Sequence, residues 1–179
     1  MQRIFTGLAV WCTLFLAATL VLGVMASGRP PGGAAPAAGT DWFEWHFLAG
    51  IFTAFFTLVV HGVVMTYFLG MGGLVKEAVR ILGDAGAEFR QRSRRIKMIV
   101  FPPATFAPLL VVATAVVGGA TGKSIGSTGW HGGLAVATVL YNLHAFRKEY
   151  VALGMNKALI DEVEKKFGDK REEGPVSRF

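Results

Sequence analysis

Residues 46–71 have the sequence HFLAGIFTAFFTLVVHGVVMTYFLGM, which contains no Asp, Glu, Lys or Arg. A helix needs about 20 apolar residues to cross the hydrocarbon core of a bilayer. Three further segments have this character, at 4–25, 98–120 and 130–146, and the fourth is the shortest and least apolar. The whole chain is 53% hydrophobic. The sequence therefore predicts an all-α fold, an integral membrane four-helix bundle.

Basic residues predict how the helices are oriented. Of the 18 Lys and Arg residues, seven lie in 72–97 and eight in 147–179, and Arg3 precedes the first span. The sequence therefore predicts a multi-pass protein of a bacterial-type inner membrane. The positive-inside rule places both of its termini on the cytoplasmic side. This distribution also accounts for the net charge of +6 without a nucleic-acid partner. Membrane lipid is the expected surrounding.

The segments next to the membrane are expected to be cytoplasmic helical extensions. Apolar residues between Val151 and Phe167 recur every three to four positions, which is typical of an amphipathic helix. We predict a four-helix transmembrane domain at 1–150 and a cytoplasmic helical extension with a flexible tail at 151–179. The extended second helix, a partner protein or the membrane surface could cover the apolar stripe. We expect a partner, because so small a chain offers no obvious cover.

Four histidines form two pairs at matched depth. His46 and His131 each follow a Trp at the start of an apolar segment. His61 and His144 lie about 24 and 21 Å further in, at 1.5 Å per residue. An ionisable residue at membrane depth indicates a functional site. Two histidines at one depth on separate helices could ligate a haem iron from both sides.

The angle at which each histidine projects from its helix distinguishes the two pairs. At 100° per residue His46 and His61 differ by about 60°, whereas His131 and His144 differ by about 220°. The sequence therefore favours the inner pair, His61 and His144, as ligands of haem b, and favours one haem over two. His46 and His131 are the candidate ligands of an outer haem. Gly62 beside His61 would let the macrocycle approach the backbone.

These features resemble membrane-embedded b-type cytochromes built on four-helix bundles, such as quinol-oxidising cytochrome b and the di-haem membrane anchors of formate dehydrogenases and hydrogenases. In those families, histidine pairs from two helices ligate haems stacked across the bilayer. Separately, residues 58–74 (LVVHGVVMTYFLGMGGL) are similar to the second helix of haem–copper oxidase catalytic subunits. That similarity carries over to His61, Gly62 and Met65.

Two functions follow as expectations. The first is a haem-binding membrane subunit that carries electrons across or within the bilayer, with quinone as a candidate redox partner, inside a larger redox complex. The alternative is a haem-free structural subunit, in which the histidines hydrogen-bond between helices. Either would be a non-catalytic subunit of an enzyme complex. A proton path is not expected, because no Asp or Glu lies within the four spans.

Overall fold

The computed structural model describes residues 1–27, 42–121 and 128–172, without the side chains of 84, 85, 121, 128 and 168–172. These residues form four α-helices: α1 (Gln2–Ser27), α2 (Trp42–Leu82), α3 (Ala87–Thr121) and α4 (Thr128–Glu172). A 3-10 turn, Gly83–Gly86, joins α2 to α3, and Gly83 begins it with a φ of 61°, which favours glycine. The described chain contains no strand, so the predicted all-α fold is confirmed.

The four helices form an antiparallel bundle in which consecutive helices pack against each other and α1 also packs against α4. We call the end where α1 and α3 end and α2 and α4 begin the upper end. The other end, which contains the 3-10 turn, is the lower end. Near the lower end α1 contacts α4 through Gln2, whose Nε2 donates to the Tyr150 carbonyl, and through Phe5, whose ring meets Phe146.

Three helices are long and apolar enough to cross a membrane: α1, α2 and α3 up to Ala120. The helix α4, which carries the fourth predicted span, does not reach that standard. Its polar residues face inward, since Thr138 and Asn142 are buried while Leu140 and Leu143 are exposed. This arrangement, apolar outside and polar inside, is that of a helix whose outer face meets lipid. The chain is a multi-pass membrane protein.

Three helices extend beyond α1 at the lower end. The end of α2, the start of α3 and the second half of α4 pack together there around buried Leu82, Phe89, Leu159 and Val163. An ion pair joins Arg92 of α3 to Glu162 of α4 at 2.6 Å. The expectation that the stripe between Val151 and Phe167 lacks cover within the chain was therefore wrong for its lower part, where α2 and α3 cover Leu159 and Val163, whereas Val151 and Met155 are exposed.

The helix α4 is continuous across residue 150, where the sequence placed the boundary between membrane domain and extension. Its 45 residues span about 67 Å at 1.5 Å per residue, about twice the thickness of a bilayer core. A single helix thus connects His131, near the upper end, to the extension at the lower end.

We predict that Leu159→Ala lowers the free energy of unfolding by about 2–5 kcal/mol, because it leaves a cavity among three packed helices. Leu159 is fully buried, whereas Met155 on the same helix is 42% exposed. The matched control, Met155→Ala, should change stability far less. Unfolding by a denaturing detergent measures both variants, and equal effects would contradict the packing described.

Candidate functional site

The ring of His46, near the start of α2, packs against a glycine of α1. A Cβ atom added to Gly23 would lie 2.9 Å from His46 Cε1, closer than real side chains approach. His46 Nδ1 lies 3.0 Å from the Thr19 carbonyl oxygen, so this nitrogen carries the proton and donates it to the carbonyl. One turn further down, the hydroxyls of Thr19 and Thr53 hydrogen-bond at 2.8 Å.

The second hairpin, α3 and α4, repeats this arrangement. A Cβ atom at Gly118 would lie 2.5 Å from His131 Cε1. The hydroxyls of Thr114 and Thr138 hydrogen-bond at 2.7 Å. The Thr114 backbone carbonyl lies near the His131 ring. His131 Nδ1 is nevertheless buried and makes no hydrogen bond with any described residue.

Equivalent residues of the two hairpins are separated by a constant number of positions in the sequence. Gly23 and Gly118 are 95 residues apart, as are Thr19 and Thr114. His46 and His131 are 85 residues apart, as are Thr53 and Thr138. Four equivalent positions with equivalent contacts indicate that the bundle consists of two structurally similar halves.

This similarity brings His46 and His131 together between the halves in an edge-to-face arrangement, with ring centroids 6.0 Å apart and planes at 73°. A bond from a metal to an imidazole nitrogen is about 2 Å long, and the ring centroid lies about 1 Å beyond that nitrogen, so two imidazoles on opposite sides of one metal have centroids roughly 6 Å apart. The upper pair is therefore spaced as two axial ligands would be. No group of three or more His, Cys, Asp or Glu residues suited to a metal ion occurs among the described residues.

The lower level has the same symmetry but different residues. The position 85 residues after His61 is Phe146, and these two rings stack with centroids 5.2 Å apart and planes at 12°. The histidine that the sequence paired with His61 is His144, two residues away from Phe146. Two residues turn a helix by about 200°, so His144 points to the opposite side of α4.

The structure does not bring His61 and His144 together. His144 is exposed, and its described ring contact is with Tyr141. Matched depth on parallel helices is insufficient, because the direction of each side chain also decides what it meets. Gly62, the predicted close approach for a macrocycle, has nothing within 4 Å of an added Cβ.

His61 instead forms a buried polar cluster with two residues of α4. Its Nδ1 lies 2.5 Å from Glu149 Oε1, and its Nε2 lies 3.1 Å from Asn142 Oδ1. Asn142 Nδ2 in turn donates to the Thr138 carbonyl at 2.9 Å. All three side chains are fully buried, and Glu149 Oε2 has no hydrogen-bond partner within the described chain.

Sequence reasoning missed Glu149 because it lies three residues beyond the predicted end of the fourth span. No acidic residue lies within the four predicted spans, which was the reason for not expecting a proton path, but Glu149 is nevertheless buried in the bundle. One signal was present: Asn142 and Glu149 are seven residues apart, which places both on one face of a helix. That face also carries Thr138 and is the face that α4 turns toward the bundle.

Comparison with protein-family models, with curated proteins and with solved structures found no match to this chain.

We predict that Glu149→Ala lowers the free energy of unfolding by about 3 kcal/mol, because it leaves His61 buried without its partner. The exposed Glu164 provides the matched control, Glu164→Ala, which should have little effect. Replacing both members of the pair, as in His61→Phe with Glu149→Leu, should recover much of the loss, since both buried ionisable groups are then removed and only the neutral Asn142 Oδ1 loses its donor. Detergent-induced unfolding measures these three variants and the single changes His61→Phe and Glu149→Leu, and a double variant as unstable as the sum of its single changes would contradict the pairing.

Proposed function

We propose that this protein is a haem-binding subunit of a membrane redox complex, and that His46 and His131 are the two axial ligands of one haem b. The observation that carries the proposal is the facing pair of rings, 6.0 Å apart, presented by two equivalent hairpins. The proposal keeps the class of function expected from the sequence and moves the ligands from the inner pair to the outer pair.

The surroundings of the two rings suit ligation by neutral imidazole. His46 donates its Nδ1 proton to the Thr19 carbonyl, which leaves the Nε2 lone pair available for a metal. Histidine ligands are usually fixed by such a hydrogen bond from the second ring nitrogen to a carbonyl. On the other hairpin, the Thr114 backbone carbonyl lies near the His131 ring in the equivalent position, and His131 Nδ1 makes no hydrogen bond in the described part of the chain.

Gly23 and Gly118 support the same assignment. Each leaves a gap in its helix that a Cβ atom would close, and each gap accommodates a histidine ring. The rings are thereby held back against α1 and α3, so that both face the space between the halves. Two protein ligands leave no open coordination position, so a bound haem would supply one-electron transfer rather than oxygen chemistry.

One haem is favoured over two because no second histidine faces His61 at the lower level, where the exposed His144 points to the opposite side of α4. Phe146 occupies the position on α4 that corresponds to His61 on α2, and a phenyl ring cannot ligate iron. Both nitrogens of His61 are also engaged, by Glu149 and Asn142.

The charge distribution supports a location in a bacterial-type inner membrane with the lower end in the cytoplasm. The basic residues of 72–97 and of 147–166 lie in or next to the lower extension. The haem would then lie near the outer surface, where electrons could be exchanged with quinone or with another subunit. An outer face rich in exposed aromatic and aliphatic residues is consistent with contact to lipid or to subunits.

We predict that His46→Ala and His131→Ala each abolish the sharp α band of reduced low-spin haem, because each removes one axial ligand. His144→Ala should retain the full band, since that side chain is exposed and away from the pair. Visible spectra of the purified, correctly inserted proteins, with haem content per chain, provide the measurement. A wild-type protein without haem would instead favour the haem-free structural subunit.

We predict that Gly118→Leu also reduces haem content, because the added side chain displaces the His131 ring. The neighbouring Gly119 has nothing within 4 Å of an added Cβ, which makes Gly119→Leu the matched control. Haem content per folded chain, read from the reduced spectrum, compares the two variants. Equal retention in both would show that close packing of His131 on α3 is not required.

A further inference from the structure

Three buried polar residues of α4 recur every seven positions: Asn142, Glu149 and Asn156, with exposed fractions of 0%, 0% and 2%. At 1.5 Å per residue neighbouring members are about 10 Å apart along the helix. The lowest member, Asn156, donates to the Tyr67 hydroxyl at 3.2 Å. A line of polar groups thus approaches the His61–Glu149 pair from the lower extension.

The hydrogen bonds determine where protons lie in this cluster. Asn142 Nδ2 donates to the Thr138 carbonyl, so Asn142 Oδ1 is the acceptor for His61 Nε2. His61 Nε2 therefore carries a proton. A second proton lies between His61 Nδ1 and Glu149 Oε1, which are 2.5 Å apart. Whether that proton is on nitrogen or on oxygen, the pair has no net charge, which suits an apolar interior.

Glu149 Oε2 is the exception in this arrangement. It is buried, and no hydrogen bond to it exists among the described residues. Buried oxygen acceptors are nearly always satisfied, and an unpartnered one needs a reason, such as a water molecule or a role in proton chemistry. This oxygen is also the one lone-pair site of the pair that the internal hydrogen bonds leave available.

We propose that Glu149 and His61 form a proton-binding site in the bundle, which takes up one further proton at Glu149 Oε2 from water of the lower end. On uptake a water-borne proton forms the Oε2–H bond, Glu149 becomes a neutral acid and His61 is an imidazolium. His61 Nδ1–H then donates to Oε1 and Nε2–H still donates to Asn142. The site passes from zero charge to +1, and release reverses the same step.

The hydrogen bonds of His61 favour the gain of a proton by the His61–Glu149 pair over the loss of one. Removing the shared proton would leave the lone pair of Nδ1 facing that of Oε1, and so break the bond between them. Among the described residues, the carboxyl of Glu149 also interacts electrostatically with the Cys12 thiol of α1, and no ionisable group of α3 hydrogen-bonds or forms an ion pair with Glu149. A positive charge stored here would offset negative charge that arrives on an electron carrier in the same bundle.

Magnetic resonance of protein carrying ¹⁵N-labelled histidine and ¹³C-labelled glutamate, in lipid nanodiscs, tests the site without any haem. As pH falls within the range in which the helices stay intact, we expect one state in which both His61 nitrogens and the Glu149 carboxyl are protonated. The Glu149 signal should be lost in Glu149→Gln and kept in the exposed control Glu164→Gln. A pair that holds a single shared proton throughout would overturn the proposal.

The route is tested by exchange in deuterated water. Asn156→Leu removes a polar group on the lower side of Glu149 and should slow deuteration of the pair. Thr114→Val removes a hydroxyl on the upper side and should leave the rate unchanged. If Asn156→Leu has no effect and Thr114→Val slows exchange, the proton enters from the upper end and the proposed route is wrong. If Glu149→Gln does not fold, His61→Gln provides the readout, since the Glu149 signal should then titrate as that of an unpaired acid.

Discussion

The close packing of a histidine ring on a glycine backbone determines how the two halves of this bundle are built. Within each hairpin the contact fixes the histidine near the upper end and aims it at the other half. The threonine pairs one or two turns below, Thr19 with Thr53 and Thr114 with Thr138, hold the same helices in the same register. Because the halves are similar, the two histidines meet, and the candidate redox site follows from the packing.

The lower level shows what happens when the similarity is broken. His61 and Phe146 occupy equivalent positions, so His61 stacks on a phenyl ring instead of facing a second imidazole. Its nitrogens are then satisfied by α4, through Asn142 and Glu149. One level thus provides two equivalent histidines, and the other provides an acid beside a base. We infer that the two levels have different roles, electron transfer above and proton binding below.

The sequence predicted the helices better than the site. Apolar runs and charges define four helices, and the amphipathic pattern of 151–167 predicted the extension of α4. The predicted depth also placed His46 and His131 at one level, where their rings meet. Sequence reasoning could not give the direction of His144, because that depends on where α4 begins and on how it rotates against α3. Glu149 was missed because a charge just beyond an apolar run resembles an interfacial residue. The 85-residue register shared by His46, Thr53 and their counterparts was visible in the sequence and would have led to Phe146.

The position of the haem along the bundle is the most direct test. Leu48 and Leu74 of α2 are both exposed, and each lies 13 residues from His61. Leu48 is two residues from His46, whereas Leu74 is 28 residues from it, about 42 Å along the helix. Nitroxide labels at Leu48→Cys and Leu74→Cys, in a Cys12→Ala background, would report oxidised haem iron through faster spin relaxation. We expect strong enhancement at 48 and almost none at 74. Equal enhancement at both positions would place the iron at His61, and enhancement at neither would contradict haem binding.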